Sequence, residues 1–205
     1  MGFYDYYDVA VVGAGHAGIE AALASARMGL KTVLITQSPD AIGRMSCNPS
    51  IGGIAKGNIV REIDALGGEM AKIIDKSMIQ FRMLNKSRGP AVQAPRSQAD
   101  KITYSQIARK ICESTPNLNT LMDTVIDILT TASDSPLPPN FDSAIEKGAI
   151  PGEVRNAGQT EAAKSGMRQK VTGVVTERGR IIPVRSVVLT TGTFLNGIMF
   201  VGHQT

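Results

Sequence analysis

The stretch DVAVVGAGHAGIEAALASARMG, residues 8–29, decides the fold of this chain. It opens with an apolar, β-branched run at 9–12, which is typical of a buried strand. An alanine-rich helical pattern follows at 19–28, and Gly29 is placed to cap its C-terminus. A second β-branched run, KTVLIT at 31–36, is typical of a parallel strand covered on both faces. Together these patterns predict a strand–helix–strand unit and therefore an α/β fold.

Three glycines separate the first strand from the helix. In the dinucleotide fingerprint, Gly13 permits a tight turn, Gly15 lets the backbone approach a pyrophosphate, and Gly18 lets the helix pack against the strand. Unpaired N–H groups and the positive end of the helix dipole then supply an anion site. We expect the backbone of this turn to bind a nucleotide diphosphate, with His16 contributing its backbone rather than acting as a base. The predicted binding residues are Gly13, Ala14, Gly15, His16, Ala17 and Gly18.

The end of the second strand bears on which nucleotide is bound. An acidic residue usually ends this strand and holds a ribose hydroxyl, but here the strand ends VLITQS. Thr36 and Gln37 can hydrogen-bond a ribose without supplying a carboxylate, which weakens the case for NAD and leaves FAD open. The late run SVVLTTGTF, which ends in a small-residue turn at Gly192, favours FAD, because such a strand can return beside the first one and lie over the diphosphate.

The rest of the chain contains several further predicted elements. Residues 132–169 are rich in proline and scattered charge, so we interpret them as an insertion that contributes little to a core. Pro183 is expected to confine its strand to a sheet edge or a bulge. The other predictions are helices at 54–66 and 100–113, strands at 118–122 and 125–129, and a turn at 177–180 followed by a return strand and then an apolar strand at 186–191.

Composition excludes some classes of protein. Of the 205 residues, 42% are hydrophobic and 20% are charged, as in globular domains. No apolar run approaches the roughly 18 residues of a membrane span, and the N-terminus lacks the pattern of a secretory signal. Cys47 and Cys112 form no disulfide framework or metal-binding spacing, so we expect no metal and a cytoplasmic location. Cys112, among apolar residues of a predicted helix, is expected to be an inert core residue.

The middle of the chain is basic. Between Lys56 and Lys110 stand eleven Lys and Arg against five Asp and Glu, a net charge of +6 within a chain of net charge +4. This excess indicates either an anionic partner, such as phosphates or nucleic acid, or a solvated basic face. Charge alone leaves both interpretations open.

Cys47 lies on a glycine-flanked loop just before a predicted helix, with Arg44 and Lys56 nearby in sequence. A helix N-terminus and neighbouring cations stabilise a thiolate over a thiol, which is how cysteines become reactive. A lone cysteine is otherwise most often a small core residue, so the wider sequence has to decide between these roles.

Four motifs in order supply that context: GAGHAGIEAALASARMG, MSCNPSIGGIAKGNIVREIDALGG, FRMLNKSRGPAVQAPRSQADK and VVLTTGTFLNG. With them the chain closely resembles the MnmG (GidA) family of FAD-dependent enzymes that modify the wobble uridine of tRNAs. The resemblance runs from Asp8 to Gly202 and excludes 132–169. It implies a Rossmann-like FAD-binding domain of the glutathione-reductase-like type, with a mainly parallel sheet, a β-hairpin or meander excursion and a helical insertion. Residues 1–131 and 170–205 would form that domain, interrupted by the insertion at 132–169.

The resemblance also implies a chemistry. Family members use FAD, reduced by NADH, and methylenetetrahydrofolate to install an aminomethyl or carboxymethylaminomethyl group at C5 of U34. They act as homodimers with the GTPase MnmE. In this chain residues 13–18 would hold the FAD diphosphate and the backbone of Val125 would meet the adenine. Cys47 would be catalytic, either attacking C6 of the uridine or supporting the flavin. The implied tRNA-binding residues are Arg82, Lys86, Arg88, Arg96 and Lys101.

Family members are much longer than this chain. We therefore expect an N-terminal portion without the family's nicotinamide-binding insertion, second cysteine and helical C-terminal region that docks the GTPase. Two alternatives remain open: a folate- and FAD-dependent tRNA uridine methyltransferase, which shares the fold, and an inactive FAD- or RNA-binding remnant. The stretches SCNPSIGG and FRMLNKSRGP favour the wobble-uridine family over the methyltransferases.

Overall fold

The computed structural model describes residues 4, 6–46, 48–132 and 169–192. The predictions for Cys47, for nearly all of the insertion at 132–169 and for the chain after Gly192 lie outside the described residues. The elements are β1 (Tyr7–Val12), α1 (His16–Arg27), β2 (Thr32–Thr36), β3 (Ser50–Gly52), α2 (Lys56–Ala65), α3 (Met70–Ser77), β4 (Met78–Leu84), β5 (Ala94–Ala99), α4 (Lys101–Ser114), β6 (Leu118–Met122), β7 (Val125–Ala132), β8 (Gln169–Thr176) and β9 (Ile181–Leu189).

The main sheet has six strands in the order β6-β2-β1-β9-β8-β7. The first four are parallel to one another, and Val11 of β1 pairs with Leu34 on one side and Val188 on the other. The strands β7, β8 and β9 form an antiparallel meander. The predicted α/β class, the mainly parallel sheet and the meander are therefore confirmed.

Strand β9 corrects two predictions. The return strand and the apolar strand at 186–191 are one continuous strand that changes partners along its length. Its first residues pair with β8, ending at Pro183 opposite Gly173, and from Val184 onward it pairs with β1. Pro183 therefore lies in an interior strand, not at a sheet edge or a bulge. A proline is tolerated there because its missing N–H falls where the ladder passes from one partner to the other.

The core has two layers because both faces of β1 and β2 are covered. On one face Val9, Val11 and Leu34 pack against α1 and α4. On the other face Ala10, Val33 and Ile35 pack with residues of the meander. Full burial of each aliphatic side chain contributes about 1.5–3 kcal/mol, which explains the nearly continuous apolar sequence of these strands.

A second sheet follows β2 in the chain and was not predicted from the sequence. It is antiparallel, has the order β3-β5-β4, and is accompanied by α2 and α3. Glu20 of α1 fixes α3, because its carboxylate accepts hydrogen bonds from the N–H groups of Glu69 and Met70 at 3.0 and 2.7 Å. Arg27, also on α1, pairs with Glu69 at 2.5 Å. The insertion that carries the small sheet is thus anchored to the first helix.

Candidate functional site

Close packing of backbone atoms shapes the turn between β1 and α1. Gly13 has a φ of +101°, and a Cβ atom there would stand 2.5 Å from the carbonyl oxygen of Thr190. The Thr190 hydroxyl shares its one donor hydrogen between the carbonyl oxygens of Val12 and Gly13, each at 2.9 Å. The segment after β9 is therefore fastened directly to the glycine turn.

The other two glycines differ in what surrounds them. A Cβ at Gly18 would lie 1.9 Å from the carbonyl oxygen of Gly13, so only glycine allows α1 to start this close to β1. A Cβ at Gly15 would meet nothing within 4 Å, and Gly15 is exposed. Gly13 and Gly18 thus serve internal packing, whereas Gly15 faces open space.

The first turn of α1 has the properties of an anion site. Its N-cap, Gly15, offers no side-chain cap, and the turn contains no acidic residue. Glu20, the nearest carboxylate along the helix, is engaged by the N-terminus of α3. No side chain among the described residues therefore competes with a ligand anion for the amide groups at this end of the helix.

The remaining predicted cofactor-binding residues cluster at the same edge of the sheet. The N–H groups of Gly13, Asp123 and Thr190 each donate across the carboxyl ends of neighbouring strands, at 2.9 to 3.0 Å. The structure therefore brings the glycine turn together with Thr36 at the end of β2, Gln37 directly after it, Val125 at the start of β7, and Gly192 after β9.

Thr36 and Gln37 have different environments. Thr36 is buried, and its hydroxyl donates to the carbonyl oxygen of Ser38 at 3.2 Å. Gln37 is exposed immediately beyond it. Of the two, Gln37 has the side chain that is free to reach a ligand.

Asp123 is a residue at this edge that the sequence reasoning missed. Burial alone would raise the pKa of its carboxyl, but hydrogen bonds from the Thr124 backbone and Thr176, and the charge of Arg178, shift it below the ordinary value. The N–H of Glu177 also donates to the carbonyl oxygen of Thr124, at 2.8 Å. The ionised Asp123 thus ties the β8–β9 turn to the end of β6. The sequence signal for Asp123 was an acidic residue directly after the predicted strand at 118–122, in the stretch LMDT.

His16 is packed rather than presented for proton transfer. Its ring lies edge-on to Tyr104, with the ring centroids 5.5 Å apart. Its Nδ1 is buried and has no hydrogen-bond partner among the described residues. Burial lowers the pKa of His16, with the charge of Glu20 opposing, so the imidazole is neutral at pH 7. A neutral ring leaves the anion-binding character of this turn to its backbone amides.

The segment around Cys47 is anchored at both ends. At one end, the N–H of Gly43 donates to the carbonyl oxygen of Ala14 in the glycine turn, at 3.0 Å. At the other end, the carbonyl oxygen of Pro49 accepts from Ala99 of β5, at 2.7 Å. Cys47 itself is outside the described residues. Its neighbours connect the glycine turn to the small sheet.

The second cysteine is a core residue, as predicted. Cys112 has no exposed surface and packs in the cluster between the main sheet and its helices. Burial raises the pKa of its thiol to about 12, which excludes a thiolate at neutral pH.

The five basic residues predicted to bind tRNA lie on and around the small sheet rather than at the glycine turn. Arg82 and Arg96 face each other across β4 and β5. Lys86 and Arg88 are exposed in the connection between those strands, and Lys101 is exposed at the start of α4.

Comparisons with known proteins show the family to which the chain is similar. The family model described as glucose inhibited division protein A matches residues 8–205. A protein of Treponema denticola named tRNA uridine 5-carboxymethylaminomethyl modification enzyme MnmG is 56% identical over 197 residues. That alignment covers 96% of this chain and 27% of the relative. A protein of the same name from Aquifex aeolicus is 47% identical over 200 residues, which cover 98% of this chain and 27% of that protein. The chain therefore spans about 27% of the length of these curated relatives.

Solved structures agree with the fold. The structure of Aquifex aeolicus GidA in its form II crystal matches with a TM-score of 0.75 at 46% identity, covering 98% of this chain and 27% of that one. Pseudomonas aeruginosa PqsL in complex with 2-aminobenzoylacetate matches at 14% identity with a TM-score of 0.55, over 92% of this chain and 44% of its own, and so shares the fold alone. Within the described residues, none of the helices has the length and apolar character needed to cross a membrane.

Proposed function

The chain belongs to the glucose inhibited division protein A family, and we propose that it is the FAD-binding part of an enzyme that modifies a tRNA uridine. The single observation that supports this most is the glycine turn, where two glycines are required by packing and the third, Gly15, faces open space. Relatives named as tRNA uridine modification enzymes supply the substrate class.

The described residues fit FAD. The amide groups of residues 13–18 would bind its diphosphate, with Gly192 beside them on the segment after β9. Gln37 would hydrogen-bond the ribose, with Thr36 buried beside it, and the backbone of Val125 would meet the adenine. FAD, when bound, supplies two-electron redox chemistry. This chain's contribution is to bind the dinucleotide in one orientation, at the turn to which the segment containing Cys47 is also anchored.

The finer reaction follows the family. The enzyme would add an aminomethyl or carboxymethylaminomethyl group to C5 of the wobble uridine, with NADH and methylenetetrahydrofolate as co-substrates. We propose that Cys47 takes part, as a thiolate that attacks C6 of the uridine or as a group that supports the flavin. The anchoring of Gly43 to Ala14 and of Pro49 to Ala99 supports this by joining its segment to both the cofactor turn and the small sheet.

Mass analysis of wobble uridines in cells that carry Cys47→Ser tests this role. We expect the modified uridine to be lost. The control is Cys112→Ala, which removes a buried thiol and should leave the uridine modified, provided that the variant protein is present in the cells. Normal modification with Cys47→Ser would exclude Cys47 from the reaction.

The basic residues of the small sheet would bind the tRNA. Phosphate contacts by Lys and Arg release counterions, so the affinity should fall steeply with salt. Reversing the charge of Arg88 and Arg96 to Glu should weaken tRNA binding and flatten its salt dependence. Lys110→Glu on α4 is the matched control for each of the two single variants, since it makes the same change of two charges outside the predicted set. An unchanged salt slope in the double variant would refute the assignment.

The family also suggests an assembly. We propose a cytoplasmic homodimer that works with the GTPase MnmE, with residues 1–131 and 170–205 as the FAD-binding domain and 132–169 as an insertion. Sedimentation of the purified protein, with and without the GTPase, tests these partners. A monomer at every concentration, with no complex, would contradict this part of the proposal.

A further inference from the structure

One face of the small sheet carries two rows of mostly polar residues. The strand register places Gly52, Arg96 and Arg82 in one row across β3, β5 and β4. The next row holds Ser50, Gln98 and Gln80. Because residues two apart on a strand point to the same face, both rows share one face, which we name the arginine–glutamine face. None of its six residues is acidic.

Two like charges stand directly opposite each other on this face. Arg82 and Arg96 are Cα partners in the ladder between β4 and β5, and such partners have Cβ atoms about 4.5–5.5 Å apart. Like charges in this position repel and destabilise a sheet. Neither arginine forms an ion pair with any residue that the structure describes. Among the described residues the pair therefore has no counter-charge that would offset its repulsion.

The guanidinium of Arg96 is held in place by a neighbour. Its Nη2 donates to Ser50 Oγ at 3.2 Å, and Arg96 is half-buried while Arg82 is exposed. One arginine is thus preoriented by the sheet, and the other is free to close on a ligand from the solvent side. This arrangement suits an anion that both guanidinium groups can reach.

We propose that Arg82 and Arg96 together bind one phosphate. Two guanidinium groups satisfy a phosphate through paired hydrogen bonds that a single lysine cannot make, and the anion removes the repulsion between them. Gln80 and Gln98 in the next row offer amide donors to the same group or to an adjoining base. On the proposed function, the ligand is a backbone phosphate of the tRNA.

The position of the face agrees with a substrate subsite. Ser50 lies three residues after Cys47, and the carbonyl oxygen of Pro49 is bonded to Ala99 at the end of β5. A phosphate on this face is therefore bound by the same small sheet into which the Cys47 segment leads. Lys86 and Arg88, in the connection between β4 and β5, would make more peripheral contacts.

Thermal unfolding in inorganic phosphate, compared with chloride at equal ionic strength, tests the phosphate site directly. Phosphate should raise the melting temperature of the wild-type protein and of the control Lys110→Gln by more than that of Arg82→Gln, in which only the general stabilisation by phosphate and any binding at the glycine turn remain. Without phosphate, Arg82→Gln should be at least as stable as the wild type, because it removes a repulsion from an exposed position. Arg96→Lys keeps the charge but loses the two-pronged contact, so it should retain only part of the phosphate effect.

Binding of a tRNA anticodon stem-loop distinguishes the source of the phosphate. If the ligand is RNA, Arg82→Gln should weaken binding about tenfold and reduce the slope of log K against log salt by about 0.7, the value for one single-strand phosphate. Unchanged RNA binding with lost phosphate protection would assign the same site to a small phosphate compound. In that outcome the phosphate site would be supported even though the proposed tRNA function was not.

Two results would overturn the phosphate site. One is phosphate protection as large as that of the wild type in both Arg82→Gln and Arg96→Lys. The other is a marked loss of stability in Arg82→Gln without phosphate, since that would show the pair to be structurally favourable rather than a repulsion relieved by a ligand.

Discussion

Substitution of Gly15 by alanine separates ligand binding from folding more cleanly than any other change at the glycine turn. Gly15 has φ −71° and ψ −173°, an extended conformation that alanine adopts without strain, and its added Cβ would meet nothing within 4 Å. The free energy of unfolding should therefore change by less than about 1 kcal/mol, because the lower entropy of the unfolded chain with alanine is offset by the weaker preference of alanine for an N-cap position.

The same methyl group should impair FAD binding. It would occupy the space through which a diphosphate approaches the amide groups of the turn. Loss of one hydrogen bond to a charged group costs about 1.5–3 kcal/mol, which corresponds to a roughly ten- to hundredfold rise in the dissociation constant. Titration of the apoprotein with FAD, followed by flavin fluorescence, measures this constant.

Gly18→Ala is the matched variant with the opposite expectation. Its Cβ would lie 1.9 Å from the carbonyl oxygen of Gly13, a backbone atom that cannot move aside cheaply. We expect a loss of about 1–3 kcal/mol or more in urea unfolding, as for other overpacked sites. Two results would refute the reasoning: wild-type FAD affinity in Gly15→Ala, or equal destabilisation of the two variants.

Three further predictions concern Glu20, with Glu113 as its control, Asp123 and Cys112. Glu20→Ala removes the acceptor for the N–H groups of Glu69 and Met70, so urea unfolding should show a loss of about 1–2 kcal/mol. Glu113→Ala, which breaks only an exposed pair with Arg109, should cost less than about 1 kcal/mol. The pKa of Asp123 is lowered by folding, so its carboxylate stabilises the protein above the ordinary pKa of 3.8, and this stability is lost as the pH falls through the lower folded value. The gap in melting temperature between wild type and Asp123→Asn should therefore be full at pH 7 and shrink below pH 3.8; an unchanged gap there would contradict the assignment. Cys112 should not react with a disulfide reagent at pH 8 until the protein unfolds, because its thiol is buried and its pKa is raised to about 12.

The central strand–helix–strand unit could be predicted from sequence because three signals agree there. Continuous β-branched runs mark β1 and β2, glycines mark the turn, and alanine periodicity marks α1. The predicted strand at 118–122 also matches β6, and the predicted helix at 100–113 differs from α4 by one residue at each end. Asp100 explains the start of that helix, since its carboxylate accepts from the N–H groups of Ile102 and Thr103.

The small sheet could not be predicted because β3 is too short and β4 too exposed to give a sequence signal, although β5 buries Ser97 and Ala99. β3 has only three residues, and five of the seven residues of β4 are exposed, including Ile79 and Phe81. Neither strand shows the alternation that marks a half-buried strand. The basic residues were predicted from sequence without any expectation of this sheet. Only the strand register shows that Arg82 and Arg96 lie opposite each other.

The continuity of β9 was missed for a related reason. Pro183 normally interrupts a strand, and the exchange of partners from β8 to β1 has no local sequence signal. Asp123 was overlooked because a single acid after a strand is common. Its role depends on the distant Thr176 and Arg178, which only the folded chain brings to it.

A crystal structure of the protein with bound FAD tests the central claim most directly. The account predicts the diphosphate at the glycine turn, with its oxygens about 3 Å from amide nitrogens of residues 13–18, the separation of an N–H···O hydrogen bond. A diphosphate bound elsewhere on the chain, with Gly15 still facing solvent, would contradict it.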